Sequence, residues 1–172
     1  MINIAILTIS DRSAQGKRDD TSGPILVDMV EQQGWKIAKT AIIADDQYVI
    51  EDRLIKWADS NAMDVILTTG GTGFSPRDQV PEATRKIVDR LAPGIVQAMR
   101  NESLKKTPHA MLSRAEAGIR KSTLIINLPG SPRAARENFE VVLRALPHAV
   151  QLLQGDPDAE KDHRLPPHRQ QA

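Results

Sequence analysis

Apolar positions along the chain recur with two periods. Asn3 to Ser10 is short, β-branched and almost continuously apolar, the pattern of a strand buried on both faces of a parallel sheet. Asp11 to Asp20 is charged, carries Gly16 and predicts a loop. Ile25, Leu26, Met29 and Val30 then fall at helical spacing, with Pro24 near the first turn and Gly34 just past the end. Trp35 to Ile43 reads as a second strand. A helix from about Gln47 to Ser60 follows, with Val49, Ile50, Leu54, Ile55 and Trp57 on its buried face. Val65 to Thr69 is the third strand. Pro81 opens a helix reaching about Arg90, and Pro93-Gly94 breaks the chain before a further helical stretch ending near Lys105.

In the second half, Ile119 and the run Thr123 to Leu128 flank Arg120-Lys121-Ser122, which reads as a turn between two strands. Leu128-Pro129-Gly130-Ser131-Pro132 leads into a helix carrying Phe139, Val142 and Leu143. Pro147 interrupts it before Val150, Leu152 and Leu153 resume the pattern. From Gly155 the chain is polar, with Pro157, Pro166 and Pro167, and reads as a mobile tail. The expectation is one domain over residues 1–154, a three-layer α/β/α fold with a mostly parallel sheet and a small β-hairpin addition, followed by a polar tail over 155–172. Ligands of such sheets sit at the carboxyl ends of the strands, beside the point where strand order reverses.

Composition narrows the function. The 172 residues include no cysteine, which excludes disulfides and thiolate metal sites. Lys and Arg number 23 against 22 Asp and Glu, so nothing favours a general attraction to nucleic acid or membrane. Aromatics are 3% of the chain, too few for a base-stacking platform. The chain starts straight into Asn3-Ile4-Ala5-Ile6-Leu7 without a basic leader, and the expected location is cytoplasmic. His109, His148, His163 and His168 show no metal-ligand spacing and are read as structural or solvated. Trp35 and Trp57 are read as packing.

The chemistry-bearing stretches all follow strands. Thr68-Thr69-Gly70-Gly71-Thr72-Gly73 comes directly after the third. Glycines there allow positive φ and close approach of a ligand, and successive N–H groups form a concave anion site; a tight strand-to-helix turn is the alternative. The stretch is neither a Walker A loop nor a dinucleotide fingerprint. Arg77-Asp78 close the same loop, Asp78 either placing Mg²⁺ beside a phosphate or capping the next helix. Asp45 and Asp46 end the second strand. Asp46 is the default cap, and the spacing leaves open which of the two faces the site. Ser10-Asp11-Arg12-Ser13 after the first strand suits phosphate or carboxylate recognition, or a solvated loop. Pro129-Gly130-Ser131 sets Ser131 as an N-cap and offers a helix N-terminus to an anion.

Taken together, Ile6-Leu7-Thr8-Ile9-Ser10-Asp11, the Thr68–Gly73 stretch with Arg77-Asp78 and Pro81-Glu82-Ala83-Thr84, and Asn127-Leu128-Pro129-Gly130-Ser131-Pro132 resemble the MoaB/Mog family of molybdenum cofactor biosynthesis. The resemblance covers about residues 2–154 and departs at Val80, where the family often has Thr. It implies a molybdopterin-binding domain, assembled as homotrimers or hexamers, whose catalytic members use ATP as co-substrate with Mg²⁺ to adenylylate molybdopterin. Asp78 and Asp45 would then be the catalytic and metal-binding acids. Ser10, Asp11, Arg12, Thr69, Gly70, Gly71, Thr72, Gly73, Arg77, Pro129, Gly130 and Ser131 would bind substrate and nucleotide. Two other readings are a pterin carrier without nucleotide chemistry and a nucleotide pyrophosphatase built on a related domain.

Overall fold

The computed structural model describes residues 1–157 and 159. Six strands form one sheet: β1 Asn3–Ile9, β2 Lys36–Ile43, β3 Val65–Thr69, β4 Arg90–Leu91, β5 Ala117–Arg120 and β6 Thr123–Leu128. Their spatial order is β2-β1-β3-β6-β5-β4. The pairs β1–β2, β1–β3 and β3–β6 are parallel, while β5 runs antiparallel to both β6 and β4. The mostly parallel α/β/α architecture is therefore as expected. The hairpin β5–β6 turns at Lys121, which takes a left-handed φ of 52°.

Alternation along the central strands divides the core into two halves. Ile4, Ile6, Val65, Leu67, Leu124, Ile126 and Leu128 face one side. That side is packed by α2 (Ser22–Gln32), α5 (Pro93–Leu104), α6 (Pro132–Leu143) and α7 (Leu146–Leu153). Ala5, Leu7, Ile9, Ile66 and Ile125 face the other, covered by α3 (Gln47–Ala58) and α4 (Val80–Ile87). Burial on both faces explains why these strands read as continuous apolar runs.

Two segments depart from the sequence expectation. The stretch expected as a loop from Asp11 begins with one helical turn, α1 (Asp11–Ala14), because the Ser10 hydroxyl accepts from the Ser13 N–H at 3.2 Å. The helix expected to reach Arg90 ends at Ile87, and Arg90–Leu91 pairs instead with Gly118–Ile119. Trp57 is buried beneath Arg53, whose guanidinium carbon lies 5.6 Å from the ring centroid, and Trp35 packs against the first core half, both as expected. The tail expectation falls largely outside the described residues, as do His163 and His168.

Candidate active site at the sheet's carboxyl rim

Chain order runs outward from β1 in both directions, to β2 on one side and to β3 on the other, so the reversal of strand order lies at β1. The loops after β1, β2, β3 and β6 meet at that rim. Gly70 donates its N–H to the Leu128 carbonyl (3.2 Å), and the Thr69 hydroxyl donates to the Pro129 carbonyl (2.7 Å). Both tie the β3 and β6 loops together. A Cβ on Gly70, at φ +105°, would stand 2.2 Å from the Ile9 carbonyl oxygen. Only glycine lets the third strand's loop pass this close to the first strand's end.

The hydroxyls of Thr68, Thr69 and Thr84 are engaged within the protein. Thr68 and Thr84 accept from the buried Asn127 amide at 3.0 and 2.9 Å, and Thr69 is occupied as above. What the loop does offer is backbone. The N–H groups of Gly71, Thr72 and Gly73 donate to nothing among the described residues, and neither do those of Gly130 and Ser131. The Ser131 hydroxyl makes no capping bond, so the start of α6 stays open as well. Unpaired amides side by side are the donor set of an anion site.

The acidic groups sort themselves out by contact. Asp46 is the N-cap of α3, accepting from the Val49 N–H at 3.1 Å. Asp45 turns inward and is 7% exposed. Its Oδ1 accepts from the Gln79 N–H at 3.0 Å, and its Oδ2 lies 2.5 Å from where a Cβ on Gly71 would stand. Burial raises its pKa to about 6, against the lowering pull of the Gln79 N–H and with help from the charges of Asp78 and Asp11. Asp78 does not cap α4, which has no side-chain cap; the Gln79 N–H just before the helix goes to Asp45, and the Val80 N–H that opens it goes to the Gly71 carbonyl. The Asp78 Oδ2 instead accepts from the Ser75 N–H at 3.3 Å and stands 2.9 Å from a Cβ placed on Gly73. The two carboxylates thus flank the same glycine stretch.

Asp11 accepts the Asp45 N–H at 3.0 Å and pairs with Arg77, whose Nη2 and Nε donate at 2.7 and 3.1 Å to the same oxygen. That guanidinium holds the Asp11 pKa below its ordinary value. Arg12 stands exposed on α1 and lines neither of the two clefts that flank the glycine loop, so the structure leaves it outside the cluster. Val80, the position that departs from the family, is fully buried against Gly71 in the second core half and carries packing there, not a cap.

Of the two clefts, one is polar, ≈ 360 Å³, between Ser10, Thr69, Gly70, Gly71, Gly130 and Ser131 on one wall and Arg18 and Asp20 on the other. Sequence patterning missed Asp20. Its carboxylate accepts from the Thr8 hydroxyl (2.6 Å) and from the Ser22 and Gly23 amides (3.0 Å each), anchoring the start of α2 beside the site. A second, ≈ 290 Å³, opens beyond Thr72 and Gly73 over Val96, Met99 and Ala115, rimmed by Ser103, His109 and Asn138. An apolar floor with a polar rim suits a flat ring system with heteroatoms at its edge. His109 is thus on the rim of a cleft, which its lack of ligand spacing did not suggest.

Fold and rim together define an α/β protein with a glycine-lined run of unpaired amides, flanked by two carboxylates, at the reversal of its strand order. Residues 5–148 match the family model described as a probable molybdopterin binding domain, and the chain belongs to that family. It is 42% identical over 157 residues to the molybdopterin adenylyltransferase of Helicobacter pylori strain J99, covering 90% of this chain and 89% of that one. It is 45% identical to the Drosophila melanogaster molybdenum cofactor synthesis protein cinnamon, but spans only 26% of that longer chain. The solved structure of the molybdopterin biosynthesis enzyme MoaB from Thermus thermophilus superposes with a TM-score of 0.86 at 46% identity, covering 91% of this chain and 99% of that one.

Proposed function

We propose that this chain joins AMP from ATP to the phosphate of molybdopterin in the presence of Mg²⁺, releasing pyrophosphate. Its place is in molybdenum cofactor biosynthesis, and it is an enzyme of the molybdopterin adenylyltransferase kind. The observation that supports the chemistry is the meeting of Asp45 and Asp78 with a run of unpaired amides at one rim. In the transfer, a molybdopterin phosphate oxygen bonds to the α-phosphorus of ATP, and the bond from that phosphorus to the bridging oxygen breaks. Two anions must be held in line while charge is neutralised, which backbone dipoles do without reorganising.

Asp45 and Asp78 would hold the Mg²⁺. The fit is chemical: two oxygen donors supplemented by substrate phosphates is the ligand set this ion prefers, and the distant pull of Arg77 leaves the buried Asp45 carboxylate undercompensated. When bound, the ion would neutralise phosphate charge. The amides of Gly71 to Gly73 hold the phosphates, those of Gly130 and Ser131 add donors across the polar cleft, and Arg77 is the nearby cation. The flat pterin fits the apolar-floored cleft. Assembly as a homotrimer or a pair of trimers, in the cytoplasm, belongs to the same proposal; among the described residues no helix is long and apolar enough to cross a membrane.

The test is pyrophosphate release from ATP, Mg²⁺ and molybdopterin. Wild type releases it and Asp78→Asn does not, while molybdopterin binding by the variant persists. Turnover by Asp78→Asn at the wild-type rate would remove Asp78 from the chemistry. Pterin binding with no nucleotide-dependent product would make the chain a carrier, and cleavage of ADP-ribose would make it a pyrophosphatase.

A further inference from the structure

Arg114 lies between a 3₁₀ turn at Pro108–Leu112 and β5, and no motif marks it. It meets the glycine loop at several points. Its backbone N–H donates to the Thr72 carbonyl at 2.9 Å. Its Nε donates to the Gly73 carbonyl and its Nη2 to the Asp78 carbonyl, each at 2.7 Å. Nη1 pairs with the Glu82 carboxylate, which steadies the guanidinium plane.

Fixing a carbonyl fixes its neighbour as well. In a trans peptide the C=O of one residue and the N–H of the next point in opposite directions, and the described residues contain no cis peptide bond. Arg114 therefore sets the direction of the Gly73, Phe74 and Gln79 amides, turning each away from itself. The destination of one is visible: the Gln79 N–H reaches Asp45 Oδ1 at 3.0 Å. The Gly73 and Phe74 amides have no acceptor among the described residues and continue the unpaired run that begins at Gly71.

We propose that Arg114 is a positioning residue for the transfer reaction, its planar fork aiming the unpaired Phe74 amide, which extends the phosphate-holding run, and the Gln79 amide that orients Asp45. This rests on the glycine loop being the phosphate site. The fork spans the two ends of the Phe74–Arg77 excursion at once. A lysine ammonium carries the same charge but lacks that fixed two-pronged geometry.

Full-length Arg114→Lys and Arg114→Gln are compared with wild type for pyrophosphate release. Displacing a phosphate-holding loop lowers kcat about 100-fold in both, with the KM for molybdopterin moving by no more than about threefold. The conservative lysine fails to rescue. A kcat for Arg114→Lys near wild type overturns the proposal. Should wild type itself release no pyrophosphate, the transferase reading falls, and Arg114 is judged by amide resonances alone. Those of Phe74 and Gln79 shift in Arg114→Lys while distant ones stay in place, and unmoved signals overturn it. If neither variant folds, the wild-type Arg114 Nε–H decides: slow hydrogen exchange supports the clamp, and exchange as fast as that of exposed Arg12 overturns it.

Discussion

Asp45 ionises against its surroundings. Burial and the charges of Asp78 and Asp11 lift its pKa to about 6, and the Gln79 N–H and the Arg77 charge do not offset them. A folded-state value above the unfolded one, about 3.9, means that protonation favours the fold. That contribution is whole below the unfolded value and is lost as pH rises through about 6. Asp45→Asn keeps an oxygen for Gln79 and removes the charge. The unliganded variant accordingly melts above wild type at pH 8 and level with it at pH 4, while its pyrophosphate release is lost. Thermal melts at the two pH values check this; a difference that ignores pH would mean that the ionised form carries no penalty. A side chain that weakens the empty fold, with the proposed role in the reaction, fits a common trade at functional sites.

At the scale of elements, the neighbouring Asp46 gives the contrast. It caps α3 through the Val49 N–H, and Asp46→Ala is expected to lower stability by about 1 kcal/mol, read as a drop in denaturation midpoint, with kcat unchanged. A fall in kcat matching that of Asp45→Asn would mean that the two roles had been wrongly divided. In sequence the two are identical side chains side by side, and only the direction of the chain as it leaves β2 separates them. Long strands and helices were legible because their apolar period matches the two core faces, as Ile4 and Ile6 against Ala5 and Leu7 illustrate. Short elements were not. The Asp11–Ala14 turn is charged and buries nothing, and Arg90–Leu91 is two exposed residues held by pairing with β5. Arg114 was invisible for another reason: its partners are carbonyls, which no side-chain pattern announces. The same holds for the hydroxyl of Thr69, whose acceptor Pro129 is sixty residues away.

Across the whole molecule, the site exists only when β1, β2, β3 and β6 are registered side by side, since each contributes one loop to the rim. An unfolded chain has no such set of amides and carboxylates, so an anion that uses them binds the folded state alone and raises its stability. At one hundred times its dissociation constant such a ligand adds about 2.7 kcal/mol. Pyrophosphate, the proposed product, separates the two halves of the site without requiring turnover. Taken up by the unpaired amides, it raises the melting temperature of wild type by itself, and Mg²⁺ adds a further rise by relieving the repulsion from Asp45 and Asp78. In Asp78→Asn the first rise persists and the Mg²⁺ increment shrinks, because the amides belong to the backbone and the increment belongs to the carboxylate. A melting temperature indifferent to pyrophosphate would take the anion away from the glycine loop. An Mg²⁺ increment untouched by Asp78→Asn would leave the loop its anion and give the metal to other residues.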